Sequence, residues 1–213
     1  MKKYIPLLLA LALALSLAGC GGNDSGSGAP SGGSNAGGVT IGVTSFADTL
    51  EPTEQYFSWV VSRYGIGETL VRFDETGELI PCLAENWSIS DDQLTWTFQI
   101  REGVKFSNGD DMTPEMVKAS LERTFEKSDR AATFFDPASI TVNGQNLLIT
   151  TKEPVAILPG SLADPLFLIV DTNVDDSTFA MQGPICTGPY AVESFSPTDA
   201  CVVVRNEHYW GGD

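Results

Sequence analysis

The chain has 213 residues, with 12 Lys and Arg against 28 Asp and Glu, a formal net charge of −16 and a single histidine. So acidic a balance argues against nucleic-acid binding, which needs clustered cations on phosphate, and suits the solubility of an exported surface protein. With His208 as its one imidazole and no GxSxG, HExxH or P-loop pattern, the sequence offers no motif for a hydrolase, an ATPase or a cofactor.

The first twenty residues, MKKYIPLLLALALALSLAGC, place Lys2 and Lys3 before an apolar run from Ile5 to Leu17 and small residues before Cys20. This is the plan of an export signal, and the run is short of the roughly 17 to 25 apolar residues that a membrane-spanning helix needs. Leu17-Ala18-Gly19-Cys20 resembles the lipobox of bacterial lipoproteins, which implies cleavage after residue 19 and lipid attachment at Cys20. Residues 21–38 contain 8 Gly and 4 Ser, too little apolar surface to offset ordering entropy, so 20–38 is expected to be a lipidated cysteine and flexible spacer. Removing residues 1–19 leaves 10 Lys and Arg against 28 acidic residues, a net charge of −18, and Cys82, Cys186 and Cys201 as the remaining thiols.

Residues 39–213 mix α and β signals. The alternating run 39–46 predicts a strand, and residues 56–70 a helix interrupted by Gly65 and Gly67. Residues 69–81 predict two short strands about a Glu75-Thr76-Gly77 turn. In 94–100, Leu94, Trp96, Phe98 and Ile100 alternate with polar residues, the clearest strand signal in the chain. Thr113-Pro114-Glu115 reads as an N-cap, a first-turn proline and an early acid, opening a helix that carries Val117, Leu121, Thr124 and Phe125 on one face. Asn143-Gly144 between two β-rich runs predicts a hairpin. Strands over 167–170, 190–195 and 200–205 complete the pattern. The run 171–182 has Asp171, Asn173 and Asp175 at the first, third and fifth positions of a calcium loop. It lacks the glycine at position 6, where Asp176 stands, and the bidentate glutamate at position 12, where Gln182 stands, so no metal site is expected.

Residues 78–125 carry Pro81, Leu83, Ala84 and Trp87, then Trp96 and Phe98, then Arg101, Val104, Lys105, Phe106, Asn108, Gly109 and Thr113. In this pattern the segment resembles the peptide/nickel family of extracellular solute-binding proteins, the ligand receptors of ABC importers. Thr187-Gly188-Pro189-Tyr190 and Arg205-Asn206-x-x-Tyr209-Trp210 match later family landmarks, and two departures, Cys82 and Cys186, are both cysteines. The resemblance implies a mixed α/β periplasmic-binding-protein-like (class II) fold. Its first lobe would run over 39–70 plus 163–213, with an inserted α+β domain over 71–162 and a second lobe beyond Trp210. It also implies a non-enzymatic receptor on the outer face of the cytoplasmic membrane, binding a peptide or related small solute and docking to ABC permease subunits. Alternatives that stay open are a binding-incompetent fragment, a surface hydrolase and a sensor.

Ligand sites combine apolar walls with a few placed polar groups. In family members the regions equivalent to Phe46, Tyr56, Phe57 and Trp59, and to Thr133, Phe134 and Phe135, border the ligand cleft. Asp164 precedes Pro165 where nickel-type members carry an arginine that meets chelate carboxylates. A carboxylate cannot take that role, so Asp164 points toward a cationic or amine-bearing solute.

Overall fold

The computed structural model describes residues 38–43 and 46–212, and the chain divides into Met1–Gly42 and Val43–Asp213. The expected signal, Cys20 and nearly all of the spacer lie outside the described residues. Among those residues, no helix is long and apolar enough to cross a membrane.

In the first unit, the described residues 38–42 have no regular structure, and Val39 and Ile41 are exposed. The strand expected over 39–46 is absent from its described residues. Alternation tells which side chains share a face, but a strand also needs a hydrogen-bonded neighbour.

The second unit is mixed α/β. Helix α1 (Ser58–Arg63) is much shorter than the expected 56–70, and it stops where Gly65 adopts φ +70°. Strands β1 (Val71–Phe73) and β2 (Leu79–Pro81) form the expected hairpin. A four-stranded antiparallel sheet follows in the order β3-β4-β6-β5, from β3 (Ala84–Ile89), β4 (Thr95–Ile100), β5 (Pro137–Asn143) and β6 (Asn146–Thr151). Its register pairs Trp96 with Ile149, Phe98 with Leu147, Ile140 with Ile149 and Val142 with Leu147, which puts one apolar stripe on a single face. Gly144 at φ +57° opens the two-residue loop between Asn143 and Asn146, as the Asn-Gly signal predicts.

Helix α2 (Pro114–Lys127) contributes to the same core as this sheet. Thr113 Oγ accepts from the Met116 amide at 3.3 Å, and Val117, Ser120, Leu121 and Thr124 are buried. Short helices α3 (Leu158–Ser161) and α4 (Phe179–Gln182) and the hairpin β7 (Tyr190–Phe195) and β8 (Cys201–Arg205) complete the unit.

Two hydrophobic clusters result. The larger joins the sheet and α2 through Phe98, Ile100, Leu121, Leu147 and Ile149 to Leu166, Phe167 and Ile169. The smaller gathers Leu50, Val61, Ile66, Leu168, Val170, Phe179 and Cys186. Each fully buried Leu, Ile or Phe contributes about 1.5–3 kcal/mol. Residues 167–170 run between the clusters and feed alternate side chains to each, which explains the strand-like pattern expected there. They are not a strand: Pro165–Phe167 is a 3-10 turn, and only Val170 makes a bridge, to Cys186.

The landmarks converge on Glu68. Its Oε2 accepts from Thr187 Oγ and Trp210 Nε1, both at 2.8 Å, and its Oε1 from the Tyr209 hydroxyl at 3.5 Å. Asn206 Nδ2 donates to the Gly188 carbonyl at 2.8 Å. A Cβ on Gly188 would run into the Gly65 and Ile66 carbonyls, which accept from Tyr190 and Gly188 at 3.0 Å. Burial pushes the Glu68 carboxyl up, and the bonds from Trp210, Thr187 and Tyr209 offset only part of that. Cys82, Cys186 and Cys201 are all free thiols.

Candidate functional site

Three segments far apart in sequence meet at one surface depression of about 540 Å³, lined by Tyr56, Trp59, Arg130, Thr133, Phe134 and Asp164.

The first is the turn that enters α1. Glu51 accepts from the Thr53 amide at 3.0 Å and hydroxyl at 2.5 Å, which tightens the chain there, and Gln55 follows in a left-handed conformation at φ +45°. Ser58 and Val61 turn inward, so the helical period leaves Tyr56 68% and Trp59 47% exposed.

The second segment follows α2. Ser128 leaves the helix in an extended conformation, and residues Ala131–Thr133 form a 3-10 turn in which Thr133 Oγ donates to the Arg130 carbonyl at 2.7 Å. Buried Ala131 anchors the turn. Phe134 meets Phe167 edge-on at 5.4 Å between centroids, so this wall of the depression rests on the larger core.

The third segment is Asp164, whose Oδ1 caps the Pro165–Phe167 turn by accepting from the Leu166 amide at 2.9 Å.

Arg130 ties the three together. Its Nη1 donates to the Gln55 carbonyl at 2.9 Å and its Nη2 to Asp164 Oδ1 at 3.2 Å, while its Cζ sits 4.4 Å from the Tyr56 ring centroid. The stacking on Tyr56 and the fork geometry hold the guanidinium in one orientation. Arg130 Nε is buried without a hydrogen-bond partner. The result is a charge-balanced pair set among aromatic faces, a combination of apolar walls and a few oriented polar groups.

A second depression, of about 560 Å³, lies beside the end of α2 and includes Arg123, Lys127 and Asp176. Its cations are already occupied: Arg123 donates to Glu51 and Asp176, each at 2.7 Å, and Lys127 to Asp176 at 2.7 Å. Burial pushes Glu51 up, but the bonds from Arg123 and Thr53 outweigh it and hold Glu51 below the usual carboxylate range. Asp176 is held low by Lys127 and Arg123. No aromatic side chain lines this depression.

Five residues nominated from sequence, Tyr56, Trp59, Thr133, Phe134 and Asp164, therefore share the first depression. The other three described ones do not line it. Phe46 packs on Phe195 at 5.8 Å, Phe57 is half-buried at the start of α1, and Phe135 sits in the core against Phe125 and Phe167. Arg130 was not among the nominated residues, although it lies in the nominated segment RAATFFDP as its only cation. In the calcium-like loop, Asp171 is buried and accepts from Asn108 Nδ2 and the Asn173 amide, both at 2.9 Å. Among the described residues, no three His, Cys, Asp or Glu side chains group as metal ligands.

Residues 78–213 match the family described as Bacterial extracellular solute-binding proteins, family 5 Middle. Over 157 residues the chain is 31% identical to the nickel-binding protein NikA of Staphylococcus aureus (strain NCTC 8325 / PS 47), covering 74% of this chain and 31% of that one. Over 180 residues it is 28% identical to the glutathione-binding protein GsiB of Escherichia coli (strain K12), covering 81% and 35%. The crystal structure of a nickel ABC transporter protein from Bacillus halodurans superposes with a TM-score of 0.73 at 39% identity, over 78% of this chain and 34% of that one. The chain thus spans roughly a third of the length of these relatives. With a family match over residues 78–213, most of its length, the chain belongs to the bacterial extracellular solute-binding proteins of family 5.

Proposed function

We propose that this chain is the solute-binding component of an ABC importer and that the depression around Arg130 is a wall of its ligand site. It takes a peptide or related small solute at the outer face of the cytoplasmic membrane and presents it to permease subunits. It catalyses no reaction; ATP is spent by a separate subunit. Cys20 carries the lipid anchor, and residues 21–38 hold the domain clear of the headgroups. Residues 39–70 with 163–213 act as one lobe and 71–162 as an inserted domain; the smaller hydrophobic cluster, which draws only on the first of these, supports the lobe.

One observation carries the reading of the site. In a chain of this family, five side chains chosen from sequence in three distant segments line the same aromatic depression, around an arginine fixed by two of those segments. Aromatic walls with a few oriented polar groups are the usual makeup of a small-solute pocket.

Titration of the purified chain with a mixture of short peptides, followed by tryptophan fluorescence and calorimetry, tests it. A saturable response is expected that Trp59→Ala weakens at least tenfold without lowering the unfolding midpoint, because Trp59 is half-exposed. A saturable response untouched by Trp59→Ala places the ligand elsewhere, and no response refutes binding by this chain. Loss of membrane retention and of fatty-acid labelling in Cys20→Ser tests the anchor.

A further inference from the structure

We infer that the Arg130–Asp164 pair selects a zwitterionic solute, its ammonium on Asp164 and its carboxylate on Arg130. This rests on the depression being a ligand wall.

The argument is a count of donors and acceptors. A guanidinium offers five N–H groups, and a carboxylate offers two oxygens with about four lone-pair positions. Arg130 uses one Nη1 hydrogen on the Gln55 carbonyl and one Nη2 hydrogen on Asp164 Oδ1, and its Nε hydrogen is buried unpaired. One hydrogen on each Nη remains without a partner among the described residues. Asp164 directs both of its hydrogen bonds, from Arg130 and from the Leu166 amide, to Oδ1. Its Oδ2 accepts none among the described residues. Both side chains line the depression and are about one-fifth exposed, Arg130 at 20% and Asp164 at 18%.

The wall therefore sets unused donors beside an unused charged acceptor, with no net charge. A purely anionic solute could use Arg130 only by facing Asp164, and a purely cationic one Asp164 only by facing Arg130. A zwitterion satisfies both with charge-assisted bonds. Trp59 and Phe134 supply apolar faces for its body, and Trp59 lies free of the stacking that occupies Tyr56.

The purified 213-residue chain is titrated with glycine, L-alanine and L-alanyl-L-alanine, and with their N-acetylated and amidated forms, by calorimetry and fluorescence. Saturable binding is expected for unblocked members of the set, at least tenfold weaker after either block. Asp164→Asn keeps an oxygen for the Leu166 amide, and it should bring the unblocked and N-acetylated forms within threefold of each other. The blocked probes need no variant, so a fold defect in Asp164→Asn, read by its unfolding midpoint, cannot mask the outcome. Binding that is weakened by Trp59→Ala but indifferent to both blocks overturns this inference and leaves the depression as the site. Binding indifferent to Trp59→Ala, or none across the set, overturns both.

Discussion

The half-buried carboxylate of Glu68 gives a test in which charge and hydrogen bonding pull apart. Glu68→Ala removes the acceptor of Trp210 Nε1 and Thr187 Oγ, each bonded at 2.8 Å, and Thr187 is fully buried. A hydrogen bond to a charged group is worth about 1.5–3 kcal/mol, and a stranded buried donor costs about 1–3 kcal/mol. Trp210 is only half-buried and recovers part of its loss from water, so the expected destabilisation is about 2–4 kcal/mol. For a domain of this size that is roughly 6–12 °C in Tm, at about 3 °C per kcal/mol. Glu68→Gln behaves differently: its amide oxygen can serve both donors and it buries no charge, so its cost at neutral pH should be below about 1 kcal/mol. The pH dependence fixes the sign. Because burial raises the Glu68 carboxyl above its ordinary 4.5, the folded state holds a proton that the unfolded state has released over that interval. Stability from this group is therefore complete below pH 4.5 and is lost as pH rises through the folded value. Urea unfolding of both proteins between pH 4 and 8, at constant m, should show wild type losing ground to Glu68→Gln as pH rises, other groups cancelling in the difference. A Gln variant as unstable as the Ala variant, or a difference that runs the other way, refutes the reasoning.

Arg123 tests the opposite sign. Arg123→Ala strands Glu51, while Asp176 keeps Lys127, and should cost about 3–5 kcal/mol by urea denaturation, whereas Arg123→Met with Glu51→Leu should recover much of the loss. Glu51 and Asp176 are held low, so their contribution is present above their unfolded values and is lost as pH falls through the folded ones. The acid limb of the stability curve should shrink in Arg123→Ala. Thr113→Ala removes the cap of α2 and should cost about 1 kcal/mol, read as a lower urea midpoint at unchanged m.

What was legible in the sequence was local. The cap Thr113 and its proline, the Asn143-Gly144 turn and the alternation of 94–100 each act within a few residues, and the corresponding elements form. Strand β3 gave no such signal. Its burial does not alternate, and a register shift between Ala84 and Asn86 breaks the period, so β4 rather than its own pattern makes it a strand. The run 167–170 misled for the converse reason. Alternate side chains do face opposite ways, but they serve two cores and the backbone bonds go elsewhere, Ile169 N to the Glu68 carbonyl and Val170 N to Ser120 Oγ.

The site divides along the same line. Its aromatic members could be nominated because the family resemblance sets the two segments that hold them beside the ligand cleft. Arg130 could not, because its function in the wall comes from partners 75 and 34 residues away, and nothing near position 130 announces either. Glu68 was silent in the same way, bonded to residues 119 and 142 positions on. The landmark motifs near Thr187 and Trp210 were visible as spelling, and Glu68 supplies the physics behind them: both motifs deliver a donor to one half-buried carboxylate, so a change in either takes a partner from the same group. Asp164 changes most once its partner is known. Read alone, it was a free negative charge that favoured a cation; paired with Arg130 it is half of a neutral couple. A lone charge selects a solute by sign, but a couple with one unused oxygen and two unused N–H groups selects by the arrangement of both signs, which is the more discriminating requirement.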